Sequence, residues 1–105
     1  MYTNMMIVES ISEESARDVR NLMDAHVADL TEGFLGSQRL SEEGGSMVIL
    51  ETMWADKRSH LAYLRSYSYR HVFNAIRPYI VGDPVHKTFL RYSYTEEFAG
   101  IEGGA

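Results

Sequence analysis

Side chains that could do chemistry concentrate in one stretch of the chain. Residues 50–64 read LETMWADKRSHLAYL, in which the only tryptophan, Trp54, precedes His60 by six residues. An imidazole titrates near neutral pH and can accept a proton from a phenol, and an indole offers a broad apolar wall. The pattern fits two interpretations: a pocket in which His60 acts on a bound aromatic molecule, or a corner where both side chains pack.

Further histidines and tyrosines extend the set of candidate site residues. His26 lies beside the apolar stripe of a predicted helix, where a single histidine is more typical of a satisfied boundary residue than of a catalytic group. His71 and Phe73 follow the tyrosine-rich segment SYSYR. The phenol rings of Tyr63, Tyr67 and Tyr69 are suited either to the mouth of a cavity or to capping a small core with the hydroxyls in water.

Several kinds of site are disfavoured by composition and spacing. The chain has no cysteine, which excludes disulfides, thiolate nucleophiles and cysteine-based metal sites. The four histidines lack the short spacing of metal ligands, so we predict no metal. There is no nucleophile elbow, no phosphate-binding loop and no dinucleotide fingerprint.

Charge and length limit the partners. The 105 residues carry a net charge of −5 and no Lys/Arg run longer than two, so we expect neither nucleic-acid nor membrane binding. No segment approaches the roughly twenty apolar residues of a membrane span. The segment MYTNMMIVES does not read as a signal peptide. We therefore expect a cytoplasmic protein.

Hydrophobic periodicity predicts one domain over residues 1–98 and a flexible tail over 99–105. The predicted elements are a strand over 2–8, a helix from Ser12 (or Ser10) to about Leu30, strands over 34–40 and 47–54, a helical region from Asp56 to Pro78 and a final strand within 86–98. A break near residues 66–68 can divide the second helical region in two. The segment VGDPV, residues 81–85, is predicted as a loop.

The order β-α-β-β-α-β predicts a ferredoxin-like α+β sandwich, with helices on one face of an antiparallel sheet. The other face is also predicted to be apolar. Its candidate residues are Met5, Ile7, Met47, Ile49, Met53 and Phe89. Because soluble monomers seldom expose such a patch, we expect a homodimer that packs the two sheets face to face.

Four segments resemble one known family. EGFLGSQRL, then ETMW-x-D at a strand end, then HLAYLRS and RHVF, are similar to the antibiotic biosynthesis monooxygenase family of dimeric α/β barrels. The resemblance extends from Met6 to about Tyr94. It implies the same ferredoxin-like dimer, with a cavity between sheet and helices.

The resemblance also implies a reaction. Members of the family oxidise aromatic phenols with molecular oxygen and no cofactor, because the deprotonated substrate itself passes an electron to oxygen. By this resemblance Trp54 lines the pocket, and His60 stands where those members place a substrate-contacting tyrosine. Leu50 replaces the asparagine that they carry four residues before the tryptophan, and a leucine cannot hydrogen-bond a phenolate. Asn4 is a candidate substitute, or a surface residue of the first strand.

Two alternatives stay open. Heme-degrading members of the same superfamily pair a strand asparagine with a helix tryptophan and an axial histidine. Asn4 and His71 lie near two of these positions, while Tyr63 stands at the tryptophan position. A neutral histidine is a sound iron ligand, so heme is the alternative cofactor. The other alternative is a non-catalytic dimer of the same fold with a collapsed cavity.

Overall fold

Four strands form one antiparallel sheet in the order β2-β3-β1-β4. The computed structural model describes residues 1–30 and 32–91. The strands are β1 Tyr2–Ser10, β2 Phe34–Ser41, β3 Met47–Trp54 and β4 Ile80–Leu90. The helices are α1 Glu13–Ala28, α2 Lys57–Leu64 and α3 Tyr67–Ile76, and a short 3-10 turn at Arg77–Tyr79 leads into β4. The predicted ferredoxin-like order is confirmed.

Side-chain caps fix where the helices begin. Ser12 accepts a hydrogen bond from the Ser15 backbone N–H at 3.1 Å and so starts α1 at the predicted residue. Ser66 accepts from the Tyr69 backbone N–H at 3.1 Å and donates to the Tyr63 carbonyl at 2.7 Å. One serine thus ends α2 and begins α3, which confirms the predicted break in the second helical region.

The prediction of a loop at VGDPV was wrong, because residues 81–85 belong to β4. In the described sheet β4 pairs only with β1, and an edge strand tolerates the missing N–H of Pro84. Gly82 adopts a φ of +69°, and the register against β1 shifts between Ile7 and Glu9. The Gly-Asp-Pro segment therefore makes a bulge within the strand. The rest of the final strand predicted within 86–98, and the predicted tail, lie outside the described residues.

Strand register separates the two faces of the sheet as the alternation predicts. On the helix side Tyr2 pairs with Trp54, Asn4 with Thr52, and Met6 with Leu50. The core behind the helices consists of Met6, Val8, Ala16, Val19, Met23, Val48, Leu50, Val72, Ile76 and Ile80. Leu50 therefore belongs to the packed core.

The opposite face of the sheet is apolar and partly exposed. Ile7 pairs there with Ile49 and with Val85, and Phe89 is 47% exposed. A buried carboxylate, Glu51, interrupts this face and accepts a hydrogen bond from the Arg91 guanidinium at 3.2 Å. Within the described residues, no helix is both long and apolar enough to cross a bilayer.

Candidate functional site

One end of the sheet gathers the predicted aromatic and imidazole side chains. Trp54 is the last residue of β3, and α2 begins after a two-residue connection. The Ala55 N–H donates to the Gly33 carbonyl at 2.9 Å, which ties this corner to the turn before β2. As a result α2 lies over the Trp54 end of the sheet, with His60 and Tyr63 buried beneath it.

Trp54 is almost fully buried within an aromatic cluster. Its indole is 2% exposed and stacks on the Tyr63 ring with centroids 4.5 Å apart. Phe34 contacts it from β2, with centroids 5.5 Å apart. The indole N–H donates to Thr52 Oγ1 at 3.0 Å, so the polar atom of the buried ring is satisfied.

His26 joins this cluster from α1. Its Nε2 lies 2.9 Å from the Tyr63 hydroxyl, and its Nδ1 lies 3.1 Å from the Ser68 hydroxyl on α3. Burial lowers the pKa of His26 to about 4, and burial also raises the pKa of Tyr63. Both groups are therefore uncharged at neutral pH, and their hydrogen bond joins a neutral phenol to a neutral imidazole.

A second tyrosine–histidine pair lies beside the first. The Tyr69 ring meets the Tyr63 ring edge-on, with centroids 4.9 Å apart, and the Tyr69 hydroxyl contacts Nδ1 of His86 on β4. Phe73 stacks on the same imidazole at 5.8 Å. Burial raises the pKa of Tyr69 to about 12, partly offset by a hydrogen bond with the Asn4 side chain. Asn4 is therefore a buried residue of the helix-facing side.

His60 differs from His26 in its hydrogen bonding. It is 3% exposed and stacks on Tyr2, with ring centroids 6.1 Å apart. Its Nε2 is buried and has no hydrogen-bond partner among residues 1–30 and 32–91. Burial lowers the pKa of His60, so the imidazole is neutral at pH 7 and able to accept a proton.

The described helices cover β1 and β3 but leave the same side of β4 open. Thr88 pairs with Asn4 and Leu90 with Tyr2, so both point to the helix side of the sheet. Thr88 and Leu90 are nevertheless exposed, whereas Asn4 is buried. Within the described residues this makes a shelf along β4 that leads to Tyr2, the residue against which His60 packs.

Two shallow hollows flank the aromatic cluster. One of about 190 Å³ is bounded by Trp54, Tyr63, Ser66 and Ser68, and one of about 290 Å³ is bounded by Tyr69, Phe73 and their neighbours on α3. Pockets for drug-sized ligands usually measure about 300–1,000 Å³. The space between Trp54 and Tyr63 is filled by their stacked rings, so an occupant has to approach from the β4 side or displace a ring.

The set of residues considered for heme does not converge. His71 is exposed on α3, where Tyr67, itself 75% exposed, stacks on it at 5.8 Å. His71 lines a hollow of only about 120 Å³ between α1 and α3, whereas Asn4 and Tyr63 lie in the interior. These residues do not fit a heme. In the described part of the chain no group of three or more His, Asp or Glu could hold a metal ion.

Several residues of the cluster were missed from the sequence. Thr52 and Tyr2 join it through strand register with Asn4 and Trp54, and Ser68 joins it as the partner of His26. His86 looks remote along the chain, yet β4 pairs it with Met6 on the helix side. Only a prediction of the β1–β4 register could have found it.

Comparisons with known proteins identify the fold. Neither the protein-family models nor the curated proteins contain a match to this chain. The monooxygenase ActVA-Orf6 of Streptomyces coelicolor, solved with nanaomycin D, superposes with a TM-score of 0.77 at 12% identity, over 90% of this chain and 89% of that one. A variant of SnoaB, a cofactor-independent oxygenase of Streptomyces nogalater, superposes with a TM-score of 0.72 at 15% identity, over 90% of this chain and 96% of that one.

A protein described as an antibiotic biosynthesis monooxygenase gives a TM-score of 0.71 at 10% identity, over 89% of this chain and all of that one. At such identities the likeness is one of fold. The resemblance drawn from the sequence motifs is confirmed at that level.

Proposed function

We propose that this chain is a small-molecule monooxygenase that oxidises a hydroxylated aromatic compound with molecular oxygen and without a cofactor. The observation that carries the proposal is His60. This buried, neutral imidazole, whose Nε2 has no hydrogen-bond partner among the described residues, stacks on Tyr2, the strand partner of Trp54. The likeness in fold to a cofactor-independent oxygenase supports the same reaction class.

In this proposal the substrate lies on the β4 shelf. Leu90 and Tyr2 offer an apolar floor for a flat ring, and Asn4, the strand partner of Thr88, is a buried amide on the helix side. Asn4 takes the hydrogen-bonding role that Leu50 cannot fill from the core. The chemistry of the pocket wall favours a planar, mostly apolar ligand with a phenolic hydroxyl.

The proposed reaction starts with a proton transfer. His60 Nε2 accepts the phenolic proton, and the resulting phenolate is electron-rich enough to reduce molecular oxygen by one electron. Recombination forms a carbon–oxygen bond, and loss of water leaves a quinone. One O₂ is consumed for each phenol: one oxygen atom enters the product and the other leaves as water.

We also propose that the protein acts as a homodimer. The apolar sheet face opposite the helices carries exposed large side chains, namely Leu40, Met47, Val85 and Phe89. A second copy packed on this face would remove them from water, with a gain that grows with the apolar area buried. The helix-facing site then remains on the outer side of each sheet.

An oxygen-electrode assay over a panel of hydroxylated aromatics, with chelator present, tests the proposal. We expect uptake by the parent protein, and a fall of about a hundredfold in His60→Gln, because general-base catalysis typically supplies 10²–10⁴. Tyr67→Phe is the matched control on the exposed face and is expected to keep full activity. Equal uptake by His60→Gln and the parent would refute the role of His60.

The same samples separate the alternatives. A hemin titration that produces a Soret shift, abolished by His71→Ala, would replace this proposal with heme chemistry. If no compound of the panel gives oxygen uptake and hemin does not bind, a non-catalytic dimer is favoured.

A further inference from the structure

An unbroken line of aromatic rings runs from the closed end of the interior to the edge strand. Ring centroids are 4.5 Å apart from Trp54 to Tyr63, 4.9 Å from Tyr63 to Tyr69, and 5.5 Å from Tyr69 to His86. Trp54 and Tyr63 are 2% and 4% exposed, whereas His86 is exposed. Electron transfer between rings in contact is fast, so the line connects the interior with the surface.

Each phenol in this line is paired with its own imidazole. Tyr63 is hydrogen-bonded to His26 Nε2 at 2.9 Å, and Tyr69 to His86 Nδ1. Loss of one electron makes a phenol a strong acid, so its proton must leave at the same time. A neutral imidazole already in hydrogen-bond contact is the group that can take that proton. A buried tyrosine that only packs needs a hydrogen-bond partner for its hydroxyl, but that partner need not be a base. Here the partner is an imidazole for both tyrosines.

We infer that Trp54, Tyr63 and Tyr69 form a relay that carries a one-electron oxidising equivalent out of the closed end of the interior to the half-buried Tyr69, beside the exposed His86. During the proposed oxygenation reaction the oxidant is an oxygen-derived radical formed beside His60. That source rests on the proposed function, whereas the relay itself does not.

The steps balance in electrons and protons. The oxidant takes one electron from the Trp54 indole, and Tyr63 then reduces the indole radical cation while its phenolic proton moves to His26. Tyr69 next reduces the Tyr63 radical, which recovers its own proton from His26, and the Tyr69 proton moves to His86. A soluble one-electron reductant, such as ascorbate, restores Tyr69, which takes its proton back from His86.

Flash photolysis of the whole chain tests the relay without substrate or oxygen. Trp54 is the only tryptophan, so a laser pulse at the red edge of indole absorption, with a cobalt(III) ammine as electron scavenger, creates the first radical at a known place. We expect the indole radical to decay while a tyrosyl radical grows at the same rate. Tyr63→Phe should abolish that coupled growth, and Tyr67→Phe, outside the line, should retain it.

His26→Gln is expected to slow the growth of the tyrosyl signal by about a hundredfold, since it removes the proton acceptor. The parent protein in heavy water should show a slower rise than in light water, which requires no variant to fold. Unchanged coupled growth in Tyr63→Phe, or an indole radical in the parent that decays without any tyrosyl signal, would overturn the relay. Neither result depends on whether the protein consumes oxygen with a phenol.

Discussion

At the scale of single residues, the position of a histidine decides its chemistry. His26 and His60 are both buried, but His26 has both ring nitrogens hydrogen-bonded, whereas His60 Nε2 has no partner in the described part of the chain. The sequence interpretation of His26 as a satisfied boundary residue agrees with this geometry. The proposed base is therefore His60, whereas His26 is the hydrogen-bond partner of Tyr63.

Burial of His26 makes stability depend on pH. The pKa of His26 falls from 6.5 to about 4 on folding, so between these values the unfolded chain binds more protons than the folded one. The free energy of unfolding therefore declines as the pH falls from 6.5 to about 4, by about 1 kcal/mol per pH unit. Above pH 6.5 His26 makes no further contribution to the pH dependence. The lowered pKa values of His60 and His86 act in the same direction.

Urea unfolding at a series of pH values measures this slope. The groups facing His26 are Tyr63, Ser68 and His71 from α2 and α3, and Asp29 at the end of its own helix, and only Asp29 opposes the shift. His26→Gln should flatten the slope over this range. A variant that keeps the parental slope would show that His26 is not the group responsible.

Removing the Tyr63 hydroxyl should destabilise the fold. Tyr63→Phe leaves the buried His26 Nε2 without its hydrogen-bond partner, and an unsatisfied buried polar group costs about 1–3 kcal/mol. Tyr67→Phe changes a ring that is 75% exposed, and its effect should stay within about 0.5 kcal/mol. Equal free energies of unfolding for the two variants would contradict the hydrogen bond.

At the scale of elements, the site depends on the corner where the turn before β2 meets α2. Gly33 has a φ of +75°, and a Cβ there would overlap the Cβ and Oγ of Ser59 on α2. Because the Ser59 Cβ cannot rotate away, any side chain at residue 33 pushes α2 off the end of the sheet. The glycine thus allows the close approach that buries His60 and Tyr63.

Two alanine substitutions separate backbone strain from this clash. Gly44→Ala, in the β2–β3 hairpin, meets the same positive φ with open space around it, and should cost about 1 kcal/mol. Gly33→Ala adds the overlap with Ser59 and should cost at least about 1 kcal/mol more. Equal losses in urea unfolding would mean that α2 has room to move, and Trp54 fluorescence should change only in Gly33→Ala.

The sequence predicted elements well where local signals agree, and poorly where tertiary pairing decides. Strand β3 was predicted with its observed bounds because its apolar run of strand-forming residues follows a hairpin loop that contains two glycines. The break at Ser66 was visible as a run of capping residues. The loop prediction at VGDPV failed because an edge strand accepts Pro84, and the His86–Tyr69 contact was invisible because β1–β4 register sets it.

At the scale of the whole molecule, the apolar sheet face predicts a dimer. Phe89 is 47% exposed on that face, and Leu61 is 37% exposed on α2. In sedimentation velocity, Phe89→Asp should shift the protein toward monomer, whereas Leu61→Asp, a similarly exposed apolar residue outside that face, should leave the dimer intact. A parent protein that sediments as a monomer at micromolar concentration would contradict this assembly.

A crystal structure with a hydroxylated polycyclic aromatic bound would show directly whether the substrate lies on the β4 shelf with His60 as its base. We expect density along the helix side of β4, over Leu90 and Tyr2, with a phenolic oxygen within hydrogen-bond distance of His60 Nε2. Density confined to the outer groove between α1 and α3, with His60 still packed against Tyr2 and out of reach, would contradict it.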